Sequence, residues 1–317
     1  MGTVARVTLG AEHADRIESV LEPIREIFRR LETEMSARRA DSGIAMLSKM
    51  AGVAPVVVSE DTYRVLDLGG QFGWISEGAF DLTAAPLASL WGFNGAPAPA
   101  TLPSDRSIRA CLERIDYRRL ILRDGTAFLP VPDMAVDVGG IAKGYAVDRA
   151  YEYCLSAGIP DFLIDFSGNI RAAGRPARRE CWQIGIRDPF DASRIVCTIA
   201  LPSGMAVSTS GSYERFVEIF GQRYSHIIDP RTGYPANGTA SVTVLCADAV
   251  TADALSTAFF VAGPNGAQKL RQRVPSAELL IVPDRYPAEL CLTRGAAKAL
   301  APVREVGNLR IVADSWE

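Results

Sequence analysis

Three groups of residues in this chain have types and spacings suited to chemistry. The first is Tyr224-Ser225-His226-Ile227-Ile228-Asp229-Pro230-Arg231-Thr232-Gly233-Tyr234-Pro235, which holds one of only two histidines in 317 residues. It opens as a strand and closes in a turn built on Pro230, Gly233 and Pro235. The second is Thr251-Ala252-Asp253-Ala254-Leu255-Ser256-Thr257. Its alanines and leucine suit a helix, with Thr251 as the expected N-cap. On that helix Asp253, Ser256 and Thr257 share a face, at spacings of three and four. A carboxylate beside two hydroxyls or backbone carbonyls is a hard-oxygen set of the kind that suits Mg²⁺. Taken alone, the segment reads first as an ordinary capped helix. The third group is Asp137-Val138-Gly139-Gly140-Ile141-Ala142-Lys143-Gly144. A strand is expected to run into the double glycine, and a helix to follow to about Ala157. Amides at that helix start, with Lys143 in its first turn, suit a phosphate. The spacing is not that of a Walker A loop, and alone the motif is also a plain structural turn. Thr209-Ser210-Gly211 either holds a phosphate or caps a turn.

The elements that must position these groups follow in chain order. Val4 to Leu9 alternates as a strand. A helix is expected from about Ala14 to Met35, where Ile17, Val20, Leu21, Ile24, Ile27, Phe28 and Leu31 form a core-facing stripe. A short helix after Ser42 runs to about Met50, Val56 to Val58 is a strand, and Ser59 caps a helix through Gln71. Phe80 and Trp91 offer rings that stack on a flat ligand or fill the core. Residues 94–103, rich in Ala and Pro, read as an exposed loop. A helix around Ser107–Arg114, a hairpin at Asp124-Gly125 and strands at 162–166, 182–186, 195–201 and 279–282 complete the pattern. Ala267–Arg273 is expected to be helical. No repeat and no Pro/Gly linker divides the chain, so residues 1–317 read as a single α+β domain. Its sheets are expected to be hairpin-built, mainly antiparallel or mixed, and flanked by helices.

Composition sets bounds. Hydrophobic residues are 48% and charged residues 22%, enough for a sizeable core. A net charge of -3 does not suggest a nucleic-acid surface. No run of about 18 apolar residues argues a membrane helix. Six cysteines without a CxxC pair read as reduced, buried thiols. The first residues lack a basic and apolar leader or a lipid-attachment cysteine. The sequence as given therefore reads as cytoplasmic, or as periplasmic or membrane-anchored if a leader has been removed.

Together the motifs resemble the FAD:protein FMN transferases, the ApbE-like family. The resemblance rests on Met1-Gly2-Thr3; Glu77-Gly78-Ala79-Phe80-Asp81-Leu82-Thr83 with Leu90-Trp91-Gly92-Phe93; Asp137 to Asp148; Ser208-Thr209-Ser210-Gly211 with Tyr224 to Gly233; and Ala252 to Thr257. These segments lie in family order and span nearly the whole chain. The resemblance implies binding of FAD and Mg²⁺, cleavage of the pyrophosphate, and attachment of FMN by a phosphoester to a threonine or serine of a target flavoprotein, with release of AMP. Met1, Ala79, Phe80, Asp81, Asp137, Lys143 and Ile227 match positions that contact FAD. Asp253 and Thr257 match the metal ligands, with the backbone of Gly140 and the Ser256 position completing the shell. His226 matches the histidine given the role of base, a role its ordinary pKa suits. Three positions depart from the family pattern. Arg38 stands where an aromatic usually covers the flavin, Ser256 where some members have aspartate, and Ser167-Gly168-Asn169 where the family has a Gly-Gly turn. Two other readings remain beside transfer: an FAD pyrophosphatase, in which water replaces the acceptor, and a non-catalytic FAD carrier.

Overall fold

The structure is a computed structural model that describes residues 4–95, 99–177, 179–285, 289–301 and 310–313. Met1, expected to contact FAD, lies outside the described residues, as does part of the 94–103 loop. The frame is an eight-stranded sheet in the order Ala5–Leu9, Phe162–Phe166, Asn169–Ala173, Ala206–Gly211, Thr239–Cys246, Glu278–Pro283, Glu289–Leu292, Arg310–Ala313. Neighbours are antiparallel except the last pair, which is parallel. The α+β reading with mainly antiparallel sheets is therefore correct.

The sheet is covered on both faces. Thr239–Cys246, in its middle, is buried at every position, as a strand between two layers must be. One face packs on the helices Ile17–Met35, Ala142–Ser156 and Ala249–Arg271, where Val20, Ile24, Leu31, Ala146, Leu255 and Phe259 meet the sheet's Val242 and Val244. The other face packs on a small antiparallel sheet of Trp182–Arg187, Ile195–Leu201 and Leu300–Ala301, through residues such as Ile184, Ile199 and Leu280. A third cluster joins Trp91, Phe93 and Ile108 to Val217 and Ile219 of the hairpin Phe216–Ile219/Gln222–Ser225.

Local chemistry explains most element boundaries. Ser42 and Ser59 accept amide hydrogens from Ala45 and Thr62, and so start the helices Gly43–Lys49 and Glu60–Ile75. Asp124 and Gly125 both have positive φ, as a tight two-residue hairpin requires. Three expectations need correction. The first long helix begins at Ile17, because Ala11–Arg16 forms a 3-10 turn ahead of it. Thr251 is not an N-cap: Asp248 is, and its carboxylate accepts from the Thr251 amide at 2.8 Å. Asp is as strong a cap as Thr and stands one residue before the first helical position. Finally, Met134–Val138 is not a strand. The Val136 amide donates to Ser48 Oγ and the Asp137 amide to Leu82 O, so this backbone is satisfied by loops rather than by a strand edge.

Candidate active site

Two helices carry the centre of the site, and they hold each other by exchanged carboxylates. Asp253, on Ala249–Arg271, is buried and accepts the Gly144 amide through Oδ2 at 2.9 Å. Gly144 belongs to the first turn of Ala142–Ser156. In return Asp148, from Ala142–Ser156, accepts the amides of Ala249 and Val250 at 2.9 and 2.8 Å. Those amides open the second helix and would otherwise lack partners. Arg171 pairs with Asp148 at 2.8 Å and stacks on Tyr151. Burial raises the Asp148 carboxyl to about 6, against the opposing pull of its two amides and Arg171. The helices approach this closely because residue 144 has no side chain: a Cβ there would lie 2.2 Å from Ala249 O and 2.8 Å from Asp253 Cβ.

Lys143 reaches the same carboxylate. Its ammonium lies 3.4 Å from Asp253 Oδ1 and donates to Gly139 O at 2.8 Å. Behind Asp253 a chain of hydroxyls crosses to the sheet. Ser256 Oγ donates to Asp253 O at 2.9 Å and meets Ser210 Oγ at 2.8 Å. Ser210 Oγ also lies 3.4 Å from Thr257 Oγ1, while Ser208 donates to Asn169 Oδ1. A Cβ on Gly140 would lie 3.5 Å from Thr257 Oγ1, which sets the Gly139-Gly140 turn against this hydroxyl. The structure thus brings Asp253, Ser256, Thr257, Gly140 and Lys143 together.

The donors gathered here are one carboxylate, three hydroxyls and backbone. Among the described residues, no group of three or more His, Cys, Asp or Glu side chains is placed so that it could hold a metal ion. All these donors are oxygens, so the residues fit a small hard cation such as Mg²⁺ rather than a thiolate- or imidazole-bound metal.

His226 follows the strand Gln222–Ser225 directly. Both its amide and its Nδ1 lie 3.0 Å from Arg215 O. A carbonyl only accepts, so Nδ1 carries hydrogen and Nε2 is the basic nitrogen. Burial lowers its pKa to about 4, and the nearby charges of Arg215 and Lys143 push the same way. The imidazole is therefore neutral at physiological pH. Phe93 meets its ring edge to face, and Arg215 donates to Phe93 O at 2.9 Å.

The remaining expected positions stand in different surroundings. Ala79 and Phe80 are buried, and the Phe80 ring edge sits on Gly140. Ile227 is buried one residue after His226. Asp137 is exposed and accepts the Gly139 amide at 2.7 Å, shaping the turn. Asp81 accepts from Thr83 and from the Tyr117 amide, so its carboxylate holds a loop; burial raises its pKa. A cleft of about 460 Å³ opens beside Asp81, lined by Trp74, Tyr117, Pro230 and Arg231. Lys143, His226 and Asp253 lie outside that lining. Arg38 is exposed, and its guanidinium carbon is 3.8 Å from where a Gly95 Cβ would stand. It therefore borders the loop that follows Phe93.

Two residues contribute in ways that the sequence reading above does not assign. Trp91 is fully buried and donates from its indole to Gly233 O at 2.9 Å, fastening the turn that follows His226. Asp148 sits within a recognisable motif, but its partners lie 101 and 102 residues away, and nothing local announces them.

A scan against family models matches the ApbE family over residues 1–281. The chain belongs to the ApbE family. Curated relatives are named FAD:protein FMN transferase. That of Treponema pallidum is 34% identical over 305 residues, covering 90% of this chain and 83% of its own. That of Vibrio cholerae is 35% identical over 261 residues, covering 81% and 78%. Among solved structures, the ApbE protein of Thermotoga maritima superposes with a TM-score of 0.87 at 33% identity, over 95% of this chain and 97% of that one. The flavin transferase ApbE of Vibrio cholerae gives 0.85 at 29% identity, over 95% and 96%. ApbE membership makes the chain a transferase. Among the described residues, no helix is long and apolar enough to cross a membrane.

Proposed function

We propose that the chain, acting as one domain over residues 1–317, moves FMN from FAD to a threonine or serine hydroxyl of a target flavoprotein and releases AMP. The observation that carries this reading is the meeting of Lys143, Asp253 and the Ser210–Ser256–Thr257 hydroxyls beside a glycine turn, with a neutral His226 close enough to feel the Lys143 charge. Names of the relatives support FAD as the flavin donor and a protein as the acceptor.

In this reading Ala79, Phe80, Asp81, Asp137, Ile227 and Met1 bound the FAD site, and Arg38 covers its mouth. Asp253, Thr257, Ser256 and the Gly140 backbone would hold Mg²⁺. When bound, Mg²⁺ supplies Lewis-acid stabilisation of the charge that develops on the diphosphate. Lys143 adds a second positive charge at the same place. His226 Nε2 accepts the proton of the acceptor hydroxyl as its oxygen attacks the FMN-side phosphorus. The bond to the AMP oxygen breaks, and AMP carries the electron pair away. Depressing the His226 pKa keeps the imidazole unprotonated and able to accept.

The test is one incubation of protein, FAD and Mg²⁺, run with and without a threonine-containing acceptor peptide. Transfer gives AMP and peptide-bound flavin only with acceptor present. AMP and free FMN in both arms would assign a pyrophosphatase, and intact FAD in both would assign a carrier. Asp253→Ala should remove turnover in either catalytic case, while FAD and its products report the result directly.

A further inference from the structure

The hairpin that leads into His226 carries an aromatic residue that neither its turn nor its core requires. Its strands Phe216–Ile219 and Gln222–Ser225 are joined by Phe220 and Gly221, both at positive φ (53° and 75°). A two-residue turn of this kind favours Asn or Asp before the Gly. A bulky side chain at positive φ is a steric outlier, because its Cβ crowds the backbone. Packing does not hold Phe220 there, since it is 83% exposed. The buried side chains of its strand, Val217 and Ile219, pack with Trp91 and Phe93. On the other face Phe216 is exposed, with the Arg223 guanidinium 4.5 Å from its ring centroid. Single exposed hydrophobics are ordinary. Two phenylalanines and an arginine on one hairpin are the residue types that carry binding energy at protein interfaces.

The strand edge beside them is open. His226 donates its amide to Arg215 O, so the backbone of residues 215, 217 and 219 faces the partner strand, and the amides and carbonyls of Phe216 and Glu218 face outward. Among the described residues no strand pairs with that edge, and both residues are exposed. An unpaired edge is a template for one more strand. This one runs from Phe220 to Arg215, whose carbonyl holds His226, and so is continuous with the place where an acceptor must present its hydroxyl. We propose that the target flavoprotein docks on this hairpin, adding an extended segment to the Phe216–Ile219 edge and packing an apolar side chain on Phe220. The proposal rests on the reading given under the proposed function, in which a protein hydroxyl reaches His226. Residues 215 and 220 set the spacing: an added strand has its hydroxyl level with the first and its apolar anchor level with the second, about five residues apart.

The experiment measures binding and transfer separately. Fluorescein-labelled synthetic peptides carry one threonine and a leucine about five residues before or after it; in their twins serine replaces the leucine. Binding is read by anisotropy, and FMN transfer by flavin retained on the peptide. One of the leucine peptides is expected to bind roughly tenfold tighter than its twin. Phe220→Asn, which suits the turn, should melt no lower than wild type and should bind leucine and serine peptides alike; Phe220→Gly is the second variant with the same expectation. N-methylation of alternate peptide amides should abolish binding in one phase and spare it in the other, since an added strand bonds through every second residue. Equal binding of leucine and serine peptides by wild type overturns the proposal. So does a leucine preference that survives both substitutions, or loss of binding in neither phase of N-methylation. Docking that depends on Phe220 without any FMN transfer would leave this inference standing and remove the transferase reading. Transfer that is indifferent to Phe220 would do the reverse.

Discussion

At the scale of single residues, the histidine makes the sharpest prediction. Its pKa in the fold is lowered to about 4 from the ordinary 6.5, chiefly through desolvation of the half-buried ring. The acid limb of kcat/KM for transfer should therefore fall near pH 4, and not near 6.5. Between those values the unfolded chain takes up a proton at His226 that the folded chain refuses. His226 thus costs stability as pH falls from 6.5 toward 4, and the cost is absent above 6.5. His226→Gln should lose about 10²–10⁴-fold in transfer rate, while its melting temperature declines less steeply with acid than that of wild type. A pH profile paired with thermal melts checks both halves. Arg38 yields a second prediction. It is exposed beside the loop that leads from Phe93, the ring packed on His226. A long hydrated side chain covers a flavin less tightly than an aromatic ring, so water should compete with the acceptor. Arg38→Tyr is expected to lower the ratio of free FMN to peptide-bound FMN; an unchanged ratio removes position 38 from that control. Asp253, Ser256 and Thr257 were legible as a group because helical periodicity places them together. Asp148 and Trp91 were not, because what they hold is far away in sequence.

At the scale of elements, the contact between Ala142–Ser156 and Ala249–Arg271 decides whether the site exists. Gly144 permits it, since a Cβ would strike backbone at Ala249 and the Cβ of Asp253. Neither obstacle is a flexible side-chain end, so the helices must separate. Gly144→Ala should destabilise by roughly 1–3 kcal/mol, although alanine is the better helix former. It should also move Asp253 off the Gly144 amide, so transfer is expected to fall further than the loss of folded protein explains. Thermal melts beside kcat at a temperature where the variant is fully folded separate the two. Helices with buried stripes and serine caps were readable from the letters, since those signals are local. The cap of Ala249–Arg271 was misread because Asp248 and Thr251 are both good cap residues three apart, and only geometry tells donor side from acceptor side. The stretch Met134–Val138 was misread for a related reason: an apolar alternation says that backbone is extended, but not whether another strand lies beside it.

At the scale of the whole molecule, the class of the fold was legible and its wiring was not. Alternating strands and helices without a linker implied layered α+β packing. The order of strands in the large sheet joins segments as distant as Ala5–Leu9 and Phe162–Phe166, and no pattern within either strand specifies that pairing. The crossed carboxylates have one more consequence. Each helix start depends on an acid from the other helix: Gly144 on Asp253, and Ala249 and Val250 on Asp148. Neither helix can fray at that end by itself, because unwinding one strands a buried charge in the other. Hydrogen exchange should therefore find the amides of Gly144, Ala249 and Val250 opening in a single cooperative event with a shared protection factor, whereas independent rates would mean that the two helices breathe separately. A site built in this way is switched on or off as a unit, and partial loosening is not among its accessible states.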